Sequence, residues 1–140
     1  MHARRAILQA IRTQLKTIPG MGGVWIQRVP PTRTMWPCLT LAADNEAIET
    51  LTIHAQPRQQ DRIITVSINC WIRGTPDDEK VESDMDAAAV LIEQAMNSDF
   101  GADTCQLIAT DFRVGEEEPE IHQLVLTYQL SYTTTESNPV

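Results

Sequence analysis

The sequence predicts an α+β domain, a mostly antiparallel sheet with two helices packed on one face. Three observations lead there. Between Asp61 and Arg73, Ile64, Val66, Ile68, Cys70 and Ile72 share one parity, while Thr65, Ser67 and Asn69 share the other. A period of two rich in β-branched residues is a long strand with one apolar face. Ile121 to Thr134 repeats the design, with Leu124, Leu126, Tyr128, Leu130 and Tyr132 opposed to Gln123, Thr127, Gln129, Ser131 and Thr133, Val125 being the exception. Residues 76–98 then carry Val81, Met85, Ala88, Ile92 and Met96 in steps of four and three, the stripe of an amphipathic helix that can roof such strands. With 140 residues the chain holds one core and is hardly long enough for two, so residues 1–140 read as one domain with a flexible tail over 135–140.

The other elements follow in order. Residues 3–17 place Ile7, Leu8, Ile11 and Leu15, and then Ile18, at helical spacing, with Arg4, Arg5, Arg12 and Lys16 off that stripe. Pro19 and Gly20 stop this helix. Val24 to Val29 reads as a short strand ended by Pro30 and Pro31, and a loop follows to Met35. Trp36 to Ala42 reads as a second strand, with Pro37 near its start, where a missing N–H is tolerated. Trp25 and Trp36 flank the loop and are expected to cap the core, with contact to a partner as the alternative. Ala43 to Glu46 is a turn cluster, residues 47–54 a strand, and 55–60 the polar tip of a hairpin leading into the Asp61 strand. Thr75, Pro76 and the acids Asp77, Asp78 and Glu79 form a helix start, and the helix they open is about 34 Å long, matching the strand beneath it. Asp99 to Gly101 ends it. Thr104 to Val114 is a strand, Gly115 to Pro119 a charged turn, and residues 121–134 close the sheet.

Nineteen acids against eleven bases give a formal charge of -8. That balance disfavours a sequence reader of DNA and suits solubility, a basic partner, or a wall past which DNA slides. The helix-free sheet face, rich in Thr, Ser, Asn and Gln, reads either as a solvent face or as an interaction surface. Cys38, Cys70 and Cys105 match no zinc spacing and read as reduced thiols, which suggests assembly in a cytoplasm. The N-terminal segment lacks the continuous apolar run of a signal peptide, and no run reaches the length of a membrane span.

A search for chemistry finds no phosphate loop, no H-E-x-x-H and no Cys-x-x-Cys pair. His2, His54 and His122 have no second ligand at metal spacing, and the acid pairs Asp77/Asp78 and Asp84/Asp86 sit where helices carry acids without function. No catalytic, cofactor or metal residue is expected.

The order of elements from Ala3 to Thr134 resembles the tail terminator proteins of long-tailed bacteriophages. The residues that carry the resemblance are the helix Arg4 to Ile11, the strand start Trp36-Pro37, the long strand ending Cys70 to Arg73, the helix after Gly74 to Pro76, and the strand Leu124 to Tyr128. Neck and minor tail proteins of such phages share similar layouts. The resemblance implies a subunit that closes into a hexameric ring, caps the tail tube protein, ends polymerisation and offers a surface to the head-tail connector protein. DNA would pass through the lumen without specific binding, no membrane would be involved, and the protein would sit in the virion at the head-proximal end of the tail, after assembly in the host cytoplasm. The alternatives are a neck or head-completion protein, another minor tail protein, or a small ligand-binding or enzymatic domain. Candidate contacts come from this sequence alone: the basic face Arg4, Arg5 and Arg12, the loop at Arg33, the tip with Pro57 and Arg58, and the turn Glu116, Glu117 and Glu118.

Overall fold

The structure, a computed structural model, describes residues 3–30, 36–50, 59–74, 79–98, 100–114 and 121–135. Its elements are α1 (Ala3–Leu15), β1 (Val24–Ile26), β2 (Cys38–Thr50), β3 (Gln59–Arg73), α2 (Glu79–Ala95), β4 (Thr104–Val114) and β5 (Ile121–Thr135). The strands form one sheet in the order β1-β2-β3-β5-β4, antiparallel except where β1 runs parallel to β2. Both helices lie on one face, as the strand periodicity requires: the apolar sides of β3 and β5 must be covered, and two amphipathic helices supply the cover.

The core is the sum of those stripes. Ile7, Leu8, Ile11 and Leu15 of α1 and Val81, Met85, Ala88 and Ile92 of α2 pack on Leu39, Leu41, Ile64, Val66, Ile68, Leu124, Leu126 and Leu130, all buried. The β3–β5 register sets these partners side by side, Ile64 opposite Leu130 and Ile68 opposite Leu126. At the end of β3, Gly74 lets α2 come close. A Cβ there would lie 2.2 Å from Cγ2 of Val81, a spacing that no other residue tolerates without movement. Gly20, with φ +82°, takes the chain out of α1 in the left-handed region.

Several expectations need correction. The turn expected over 43–46 and the separate strand over 47–54 are one continuous strand up to Thr50, because Asp44 is a bulge: Ala43 pairs with Val66 and Asn45 with Thr65. Arg28 holds that bulge, pairing with Asp44 and donating from Nη2 to the Ala43 carbonyl at 2.9 Å. β1 stops at Ile26 instead of Val29. The second helix is described over 17 residues, about 25 Å, while β3 has 15 residues, about 50 Å. The described part of the helix therefore covers about half the length of the strand. The expected helix start at 75–78 and the hairpin tip at 51–58 lie outside the described residues.

Candidate interaction surfaces

Both edges of the sheet are open among the described residues. β4, eleven residues long, pairs with β5 alone among the described strands, so its outer side is a sheet edge. On the other side β1 shields only Leu39 to Leu41, and β2 runs on from Ala42 without a strand outside it. β4 also carries a bulge, between Leu107 and Ala109. Before it, the half-buried Cys105 and Leu107 face the helices; after it, Thr110, Phe112 and Val114 take that side, opposite Leu126, Leu124 and His122. α2 does not reach so far. Phe112 is left 56% and Val114 50% exposed; the bulged Ile108, at 48%, and Val90 of α2, at 52%, are exposed as well. At the β2 side, Ile48 and Val29 are the exposed large apolar residues.

The helix-free face differs from the wet surface its polarity suggests. Thr40, Ser67 and Asn69 are buried at its centre. The Trp71 indole donates to Thr40 Oγ1 at 2.9 Å, and Gln123 donates to Asn69 Oδ1 at 2.7 Å, so these polar groups satisfy one another. Trp25, opposite Thr40 in the register, lies on this face as well. Trp36 meets Trp71 edge to face at 6.4 Å and carries the Arg73 guanidinium 4.7 Å above its ring. Trp25 and Trp71 thus lie on the helix-free face, while Trp36 reaches from Trp71 to a cavity it lines with Ile72, Ala88 and Leu91 at the margin of the core. That cavity, of about 380 Å³, is also walled by Met21 and Pro37, with Arg73 and Asp84 among its lining residues.

A third feature ties α1 to the sheet. Glu46, turned to the helix side by the Asp44 bulge, accepts from Arg4 Nη1 at 3.0 Å, lies 3.5 Å from Arg62 Nη1 and accepts a hydrogen bond from the Tyr132 hydroxyl. Burial and the bond to Glu46 push the Tyr132 hydroxyl up to about 12.

The backbone is similar to that of a virion chain. A solved chain of the structure titled "Virion of native gene transfer agent (GTA) particle" matches with a TM-score of 0.61 and 12% identity, over 95% of this chain and 96% of that one. At that identity the likeness concerns the fold. No family model and no curated protein matches the sequence.

Against this fold, the sequence-based candidates separate. Arg4 is engaged with Glu46, and Arg12, half-buried, donates from Nε to the Val24 carbonyl at 3.1 Å. Both hold α1 to the sheet. Arg5 is exposed. Arg33, Pro57, Arg58, Glu116, Glu117 and Glu118 lie outside the described residues. Sequence reasoning missed the exposed apolar residues of β4, because a bulge breaks the alternation that would assign their side. His122 is buried, with its Nε2 3.1 Å from the Gly74 carbonyl, and serves the core. All three cysteines are free thiols; burial pushes Cys38 up to about 11 and Cys70 up to about 12, the opposite of what a nucleophilic thiol needs. Among the described residues no three His, Cys, Asp or Glu side chains are grouped to hold a metal ion, and no helix is long and apolar enough to cross a membrane.

Proposed function

We propose that this chain is a structural subunit of a phage-type virion: a tail terminator that closes into a hexameric ring, caps the tail tube, ends its polymerisation and presents the surface on which the head connector joins. The observation that carries the reading is the likeness to a chain of a gene transfer agent particle over nearly the full length of both chains. The two open sheet edges support it, since a ring needs two different, complementary surfaces on each subunit. So does the charge of -8, which suits a lumen wall that DNA passes without the counterion-release affinity of a basic wall. The likeness is to a chain of a particle and carries no position within it, so a neck or head-completion subunit is the second reading.

The test is a capping assay. Purified chain is added to polymerising tail tube protein, and tube lengths are read by electron microscopy. A terminator arrests growth and leaves a ring at one end of each tube. Tubes that grow unchanged, together with binding to the head connector alone, replace the terminator reading with the neck reading. Binding to neither removes both.

A further inference from the structure

We infer that copies of this chain associate head to tail, the α2–β4 edge of one against the α1–β2 edge of the next, guided by two charge stripes of opposite sign. The inference rests on the ring reading above and names the surfaces that would close the ring.

The stripes follow from helix geometry. At about 100° per residue, Arg5 and Arg12 of α1 and Lys16, just past its end with its N–H bonded to the Arg12 carbonyl at 3.0 Å, fall within about 40° of one another. Arg12 bonds the Val24 carbonyl, so this flank of α1 is turned toward β1, the outermost strand on that side. On α2, Glu82, Asp86 and Glu93 likewise fall within about 40°. Glu93 lines a depression with Leu107 of β4 and Tyr128, and its charge helps to raise the Tyr128 hydroxyl, so this flank faces β4. Arg5, Lys16, Glu82, Asp86 and Glu93 are all exposed. α1 contains no acid, and α2 sets five acids against Lys80. α1 therefore turns positive charge toward one edge of the sheet, and α2 turns negative charge toward the other.

The two stripes also match in length and direction. In each, eleven helical steps separate the first charge from the last, about 16 Å along the helix. α1 runs from the Glu46 end of the sheet, where Arg4 is bound, to the Val24 end, where Arg12 is bound. α2 starts near Gly74, against which Val81 packs, and reaches Leu107 and Tyr128 in its last turns. In copies set side by side with the same end up, Lys16 meets Glu82 and Arg5 meets Glu93. Behind the charges, each edge offers open backbone and exposed apolar residues: Val90, Ile108, Phe112 and Val114 on one, Ile48 and Val29 on the other. Charge complementarity sets partner and register; the apolar residues and the strand edges supply area. A symmetric dimer would place like stripe against like, so the charges favour the heterologous contact that closes rings.

Two double variants test this. Arg5→Glu with Lys16→Glu makes both edges acidic; Glu82→Lys with Glu93→Lys makes both basic. All four side chains are exposed, and thermal melts verify folding. Light scattering at low salt is expected to show wild-type assemblies that dissociate as salt rises. Each double variant alone stays monomeric, and a one-to-one mixture assembles again, because each then meets its opposite. Carbodiimide coupling of wild-type protein joins Lys16 to the Glu82 stripe between copies. Three results would each overturn the inference: variants that assemble alone as wild type does, a mixture of folded variants that stays monomeric, or a wild type that stays monomeric without the Lys16 cross-link. The capping assay separates the two claims. Both variants capping tubes as well as wild type removes this interface alone, whereas a wild type that caps nothing removes the tail-cap reading beneath it.

Discussion

At the scale of single residues, burial makes the thiols of Cys38 and Cys70 and the hydroxyl of Tyr132 favour their protonated forms. Cys70 is fully buried between strands and lies next to Cys38; loss of solvation pushes both thiols above the ordinary 9.0, to about 12 and about 11. For Cys38 the nearby Arg73 opposes the shift in part. The folded chain therefore holds these protons more tightly than the unfolded chain. The stabilisation is complete below pH 9 and is lost as pH rises through the folded values, where unfolding releases protons. Tyr132 acts in the same direction, toward about 12. We expect urea midpoints that are level from pH 7 to about 9 and fall steadily toward pH 11. A Cys70→Ala variant, weaker at neutral pH, should lose less over that range. A wild-type midpoint that holds steady to pH 11 would show that these thiols stay solvated.

At the scale of elements, the sheet depends on how closely α2 seats on β3. Gly74 is the tightest point of that seat, with Val81 where a Cβ would go. Its carbonyl lies 3.1 Å from the His122 ring, so movement there also disturbs the start of β5. We expect Gly74→Ala to destabilise by about 1–3 kcal/mol, the usual cost of overpacking. Gly74→Ala with Val81→Ala, which removes the clashing methyls, should lose less than the two single changes added together. A strictly additive double variant in urea titrations would mean that the two positions do not touch.

The same element scale shows what the sequence makes legible. β3, β5 and both helices are readable because one face of each is buried without interruption, so burial and periodicity coincide. β4 spans the predicted residues 104–114, yet its sides are not readable, and β2 is broken in the sequence reading into a strand, a turn and a strand. In both, one extra residue, Asp44 or Ile108, inverts the parity of all that follows. Asp-Asn in β2 has the composition of a turn; the structure makes a bulge of it because Arg28, distant in sequence, pairs with Asp44. The candidate surface follows the same division. The basic side of α1 is visible from spacing. That it faces one sheet edge while acids face the other depends on strand order, which local pattern does not encode.

For the whole molecule, the charge distribution bears on DNA. A chain of charge -8 repels a duplex on average, yet the stripe through Arg5, Arg12 and Lys16 gives the free subunit one local attraction. Head-to-tail association would set that stripe against the acids of α2 and remove it from solvent, so the assembled ring would be more evenly acidic than its subunits. A lumen of this kind gains no affinity from displaced counterions and does not retard a passing duplex. In fluorescence anisotropy with a labelled duplex, we expect the wild-type chain to show at most weak binding at low salt. That binding should disappear near physiological ionic strength and decrease further as protein concentration drives association. The acidic-edge variant should show none at any salt. The basic-edge variant should bind most strongly, with affinity falling steeply as salt rises. Retention of DNA by wild-type assemblies at physiological salt would be incompatible with an acidic wall, and would point to a surface that grips its duplex.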